Sequence, residues 1–319
     1  MPASFVRQIA QYDPAPSNIG PVSAHSFACF NQATLPGSLI IGFGTISFFV
    51  GTVGNGMTDY NGPTSNPVNG AYALKRVMQT SGNVDLRAYK VANALSLPAG
   101  STGLATSTTT TSLSDTSKNW TTNQWAGYTV TDAIDRTNVV ASNTATTLTY
   151  TAAGTDYGTG AMYAVGGNII ASNTGGGGED YPGTVIIEIA NALDYVGDSY
   201  AAVIAASGTD NINPGNTPTL PAGSYGVLGF ALNDNTGTGA QVNAPSAGTG
   251  NVSNGTFWTW DIAQNNVRVQ FKNQVLGSPG TLTSLFSSNF SAEYMTIAIA
   301  ISEPYIPPSY RVSGGDLYM

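Results

Sequence analysis

The sequence predicts an all-β protein: an antiparallel β-sandwich of jelly-roll type, with a small β module inserted into it and extended arms at both termini. Three observations carry that reading. Only 9% of the 319 residues are charged, against about 25% in an average soluble domain. Helices of soluble proteins need Glu, Lys and Arg on their outer face, whereas sheets present Thr, Ser and Asn between buried β-branched and aromatic positions. Hydrophobic residues at 41% and aromatics at 10% are too many for a disordered chain. Finally, 38 glycines and 17 prolines punctuate the apolar runs as turns do.

Along the chain, residues 1–21 carry Pro14, Pro16 and Pro21 and read as an extended N-terminal arm. The sandwich occupies residues 22–100 and 179–303. In its first part, residues 39–43 and 46–50 are apolar enough for interior strands, and residues 84–91 alternate apolar and polar as a half-buried strand does. Residues 101–178 turn Thr-rich, from the run at 107–112 to the four glycines at 175–178, which form a flexible joint. This stretch reads as the inserted module. Beyond it, residues 185–189 and 225–232 are short apolar strands. Residues 257–260 and 267–271 make a hairpin with Asn265 and Asn266 near its turn. Residues 294–301 close the series, and residues 304–319, with Pro304, Pro307 and Pro308, form a C-terminal arm.

Two internal echoes accompany this pattern. Leu35-Pro36-Gly37-Ser38-Leu39 leads a strand much as Leu220-Pro221-Ala222-Gly223-Ser224-Tyr225 does, and the run Lys90 to Leu95 resembles the run Glu188 to Leu193. They fit a sandwich of two similar halves.

The net charge is -8, and the basic residues are scattered. A nucleic-acid binder needs a basic stripe to displace counterions from phosphates, so nucleic acid is not an expected partner. Residues 1–7 lack the basic and apolar regions of a signal peptide. No apolar run reaches the roughly 20 residues of a membrane helix, so no membrane insertion is expected.

The chemistry-bearing residues are sparse. The one cysteine, Cys29, reads as a small core residue. The one histidine, His25, is four residues away, which in a strand means about 13 Å and no hydrogen bond. Glycoside hydrolysis needs two carboxylates about 5 to 9.5 Å apart; the candidates are Glu179, Asp180, Glu188, Asp194 and Asp198, with Glu188 inside an apolar strand. A structural reading of these carboxylates is preferred, so no catalytic residue is expected. No His/Cys cluster suits zinc. Calcium between Asp194, Asp198 and Asp210 is conceivable, but no metal or other cofactor is expected. The glycines at 175–178 lack the Lys-Ser/Thr of a phosphate-binding loop. Trp258, Trp260, Trp120, Trp125 and Tyr128 are the candidate glycan-contact aromatics. Strand alternation puts Trp258 and Trp260 on one face, as a core layer or a binding platform, while Trp120 and Trp125 suit the insert's own core.

Within the insert, the stretch from Thr109 to Val130, containing Asp115, Trp120 and Trp125, resembles a short β-repeat of bacteriophage virion proteins. The stretch from Val139 to Thr149 resembles the second half of the same unit. Where such repeats carry a Gly-rich turn, residues 132–136 (Asp-Ala-Ile-Asp-Arg) stand here. The sandwich more loosely resembles the surface domains of phage decoration proteins and fibres. The resemblance implies a non-enzymatic virion surface protein, made in the host cytoplasm and carried on the particle as a capsid decoration or fibre component. It implies association with copies of itself, a trimer by analogy, and with other virion proteins. A carbohydrate-binding adhesin that grips a host glycan is the rival expectation.

Overall fold

The computed structural model describes residues 4–12, 25–47, 57–60, 69, 71–79, 85–132, 136–154, 156–167, 169–173, 181–205, 208–233, 242–243, 256–262, 265–288 and 292–304. Among these there is no helix, and every strand pairing is antiparallel. The first part of the chain forms β1 (Phe5–Tyr12), β2 (His25–Cys29), β3 (Ser38–Ser47), β4 (Met57–Tyr60), β5 (Ala73–Gln79) and β6 (Asp85–Ala94). The insert contributes β7 (Gly100–Leu104), β8 (Ser107–Thr108), β9 (Ser112–Ser114), β10 (Thr129–Asp132), β11 (Thr137–Asn143), β12 (Thr147–Tyr150) and β13 (Met162–Gly166). The chain then returns through β14 (Ile169–Asn173) and β15 (Tyr181–Ala190). The last part holds β16 (Asp194–Ala205), β17 (Gly208–Ile212), β18 (Gly223–Asn233), β19 (Val242–Asn243), β20 (Thr256–Ile262), β21 (Asn265–Leu276), β22 (Phe286–Ser288) and β23 (Ala292–Ser302).

The sheets repeat one wiring twice. One five-stranded sheet has the order β1-β15-β3-β6-β5 and the other β16-β23-β18-β21-β20. Each is accompanied by a three-stranded sheet, β2-β14-β4 in the first half and β17-β22-β19 in the second. With the insert set aside, the first half runs β1 to β6, β14, β15 and the second runs β16 to β23. Taken in that order, the strands occupy matching places in both halves: first, eighth, third, sixth and fifth in the large sheet, and second, seventh and fourth in the small one. The protein is therefore two jelly rolls in tandem.

The two large sheets pack face to face. Leu39, Ile41 and Phe43 of β3 and Val185, Ile187 and Ile189 of β15 meet Leu228, Phe230 and Leu232 of β18 and Ile297, Ile299 and Ile301 of β23 in one buried cluster. Burying each such side chain stabilises the fold by about 1.5–3 kcal/mol. The opposite face of the first large sheet is covered as well. Ile40, Tyr89 and Ile186 pack there against Ala28 and Cys29 of β2, Met57 of β4 and Ile170 of β14. Strands buried on both faces read as continuous apolar runs rather than alternating ones, which is why residues 39–43 lack polar gaps. The halves are also reciprocal neighbours: β1 lies beside β21, and β16 lies beside β6.

The structure moves two expected boundaries. Residues 5–12 belong to no arm, since β1 pairs along β15 with Ile9 opposite Ile187, and Val6 and Ile9 pack on the central core. The prolines at 14, 16 and 21 all lie beyond this strand, so they do not interrupt it. The insert ends at Gly166 rather than at 178. Its seven-stranded sheet, β7-β13-β10-β11-β12-β9-β8, closes where Gly166 pairs with Gly100, and β14 beyond it belongs to the sandwich. The glycines at 175–178 and residues 305–319 of the C-terminal arm lie outside the described residues. The expected hairpin is β20–β21, with Ile262 opposite Asn265.

Candidate functional site

Several of the carboxylates mark seams of the fold. Glu188 of β15 is fully buried. It accepts hydrogen bonds from Arg7 Nη1, Gln8 Nε2 and the Leu35 backbone N–H, each at 2.6 Å. Arg7 also donates to the Ala33 carbonyl at 2.8 Å. A carboxylate engaged by three donors stays in its strand without an orphaned charge, and here it fastens β1 and the loop before β3 to β15. Its short contacts among the described residues are all with donors, as suits a structural carboxylate.

Asp198 and Asp194 of β16 close the gap between the two large sheets. Arg76 of β5 reaches Asp198 Oδ1 at 2.5 Å and lies 4.5 Å from the centroid of the Tyr200 ring. The Tyr195 hydroxyl donates to Asp198 Oδ2 at 2.5 Å, and burial pushes its pKa up, reinforced by that bond. Lys90 of β6 pairs with Asp194, and Tyr195 N donates to Asp194 Oδ1 at 2.7 Å. Across the molecule, Glu303 accepts from Ser4 N at 3.2 Å, and also from the Ser4 hydroxyl and Asn273 Nδ2. The residues following Met1–Ala3 and those preceding Tyr305 are thus pinned together. With Asp194 and Asp198 in ion pairs and the Asp210 side chain outside the described residues, no group of three or more possible metal ligands forms among the described residues. Glu179 and Asp180 also lie outside them.

The insert has its own centre. Leu113, Trp120, Trp125, Val130, Val140, Leu148, Tyr157 and Tyr163 form its core. Asp115, almost fully buried, accepts from the Tyr163 hydroxyl at 2.8 Å and the Ser117 N–H at 2.9 Å. Asn143 accepts from Trp125 N and donates to the Thr121 and Thr144 carbonyls, all at 2.8 Å. In the loop between the two repeat-like stretches, Arg136 Nε donates to Asp132 Oδ2 at 2.6 Å. That ion pair joins the two ends of the 132–136 segment, which stands where such repeats carry a Gly-rich turn.

Trp120 and Trp125 are 8% and 3% exposed, so neither offers a ring face to a sugar. Tyr128 is partly buried with its ring edge-on to Trp125. Trp258 and Trp260 lie on β20 opposite Val269 and Val267; their side chains are outside the described residues. Cys29 is buried, and desolvation pushes its thiol pKa well above the usual value, which makes it unreactive. The His25 side chain lies outside the described residues.

No known protein family, curated protein or solved structure matches the chain. What remains is its own geometry: two jelly rolls, a rooted insert, and a set of ion pairs that serve the seams. Sequence reading missed the partnerships Arg76–Asp198 and Ser4–Asn273–Glu303, because their members stand at least 30 residues apart in the chain with no shared motif. The one local signal was that Asp194 and Asp198 interrupt an otherwise apolar and small-residue strand.

Proposed function

We propose that this chain is a structural protein of a bacteriophage-type virion, lying at the particle surface and acting by subunit association. The observation that carries the proposal is the tandem jelly roll, an architecture used by viral capsid and lectin domains. A fold does not by itself imply a function, so the character of the polar groups supports the choice between these uses. Each buried carboxylate of the described residues is engaged by donors of the fold itself, Glu188 and Glu303 at seams and Asp115 and Asp132 within the insert, and the two insert tryptophans are core. Burial of Trp120 and Trp125 removes the insert's aromatic platform, which favours the structural role over the carbohydrate-binding adhesin. The resemblance of the insert to a phage virion repeat points the same way. A duplicated jelly roll suits a role in or on the capsid shell better than one in a slender fibre.

Antibodies raised against the recombinant chain provide the test. Gold label on intact particles in negative-stain electron microscopy is the expected outcome. Absence of label on both intact and partly disrupted particles would refute the proposal.

A further inference from the structure

Lys272 of β21 stands where the other half of the fold keeps an apolar side chain. Counted from Gly42-Phe43 and Gly229-Phe230, Ile40 of β3 matches Val227 of β18, and their cross-strand partners are Val91 and Lys272. Val91 packs against the buried cluster that the insert joins through Met162 and Ala164. Val227 is fully buried in a cluster with Leu220, Tyr225, Leu282 and Ala300. Directly opposed residues of an antiparallel pair bring their Cβ atoms to about 4.5–5.5 Å. The partly buried stem of Lys272 therefore begins at the margin of that cluster.

Its amine has no hydrogen-bond or ion-pair partner among the described residues. Gln270, on the same face of β21, donates instead to the Ser284 hydroxyl and the Leu285 carbonyl. Tyr225, the titratable group of the adjoining strand, donates its hydroxyl to the Pro221 carbonyl at 2.9 Å, and β18 carries no charged residue. The nearest charge on its own strand is Arg268, four residues along. Burial, with no acidic neighbour among the described residues to offset it, lowers the Lys272 pKa to about 8. The other three lysines differ. Lys90 pairs with Asp194, Lys118 donates to the Thr102 carbonyl at 2.5 Å, and Lys75 is exposed.

We propose that Lys272 is an acylation site, its amine the acceptor for acyl groups carried as thioesters. A partly buried cation without a partner opposes folding, and a desolvated lysine is the one that serves as a nucleophile. The neutral amine attacks the thioester carbonyl carbon with its lone pair. The C–N bond forms as the C–S bond breaks, and the departing thiolate takes up the proton released from nitrogen and leaves as a free thiol. The product amide is uncharged, so acylation ends the conflict between burial and charge at this position. Partial exposure keeps the amine within reach of a donor from solvent. The site goes beyond the virion reading and does not depend on it.

Competition among the lysines of the folded full chain tests the assignment. The probe is the acetyl thioester of N-acetylcysteamine at pH 7.5, with acetylation of each lysine followed over time by peptide mass spectrometry. At that pH about a quarter of an amine with a pKa of about 8 is neutral, against about one part in a thousand for an ordinary lysine. Weaker basicity and partial burial offset part of that advantage, so Lys272 is expected to react about tenfold faster than Lys75. The preference is expected to vanish in denaturing urea, where the pKa values converge. Protein acetylated at Lys272 is expected to melt above the unmodified protein at pH 7. Acetylation of Lys272 no faster than that of Lys75, or a preference that survives in urea, overturns the proposal. So does an acetylated protein whose thermal midpoint is unchanged or lower.

Discussion

Phe43 and Phe230 stack on each other across the centre of the molecule, with ring centroids 4.1 Å apart and planes inclined by 21°. Each lies in the third strand of its own half and follows a glycine, in Ile41-Gly42-Phe43 and Leu228-Gly229-Phe230. Contact between equivalent residues is the signature of a two-fold relationship, so the halves meet much as the subunits of a dimer do. The two glycines are equivalent in use as well. A Cβ on Gly42 would collide with Met57 Sδ at 2.1 Å, and one on Gly229 with Ser284 Oγ at 1.8 Å. In each half, side chains of the outer layer settle directly onto the large sheet.

Truncating either ring opens a cavity at the seam. Phe43→Ala or Phe230→Ala is expected to cost about 3–5 kcal/mol. The double variant should cost less than the sum of the two, because the stacking contributes about 0.5–1.5 kcal/mol beyond buried area. Urea unfolding of the four proteins measures the coupling. Strict additivity would mean that the rings do not interact.

The echo between the leads of β3 and β18 was legible in the sequence, and it marks strands in matching places. The second echo, Lys90 to Leu95 against Glu188 to Leu193, joins strands that do not correspond. What those segments share is a turn: Asn93 and Asn191 both adopt positive φ, 52° and 57°, a conformation that Asn tolerates better than most residues. Local chemistry therefore explains a likeness that duplication does not. The two-layer character of each half was not legible, because β2, β4, β14, β17, β19 and β22 are short, five residues or fewer. Their pairing depends on partners distant in the chain. Of the site residues, Glu188 stood out in its apolar strand, but its partners Arg7, Gln8 and Leu35 lie more than 150 residues away. Nothing local announces them.

Glu188→Ala should leave Arg7, Gln8 and the Leu35 N–H without their acceptor. Loss of one partner from a buried ion pair costs about 3–5 kcal/mol, and the partial exposure of Arg7, 19%, points to the lower end. Hydrogen exchange is expected to quicken first in β1 and around residues 32–35. Uniform exchange across both halves would contradict the local role.

Alkaline pH acts in two directions. Burial lowers the pKa of Lys272 to about 8. Between there and its ordinary value near 10.4, the unfolded chain holds a proton that the native one lacks, so stability rises with pH. Burial raises the pKa of Tyr150 to about 12 and those of Tyr157, Tyr163 and Tyr195 further. Above about pH 10 the unfolded chain loses tyrosine protons that the native chain keeps, and stability falls. Thermal midpoints from pH 7 to 12 should pass through a maximum near pH 10. Lys272→Met should flatten the rising limb alone.

The root of the insert is set by Gly166, which has φ +120° and whose Cβ would stand 2.6 Å from the Ala99 carbonyl oxygen and from Gly100 Cα. Both neighbours are backbone and cannot step aside. Gly166→Ala is expected to destabilise by about 1–3 kcal/mol through backbone strain and to increase proteolysis near residues 98–101 and 165–168. Resistance of the variant equal to that of the wild type would contradict a rigid root.

The most direct test of the account is the copy number of this chain in purified particles, by mass spectrometry against isotope-labelled peptides. A structural virion protein is expected among the abundant components, at a fixed ratio to the other particle proteins from one preparation to the next. Its absence, or a trace amount that varies between preparations, would contradict the central claim.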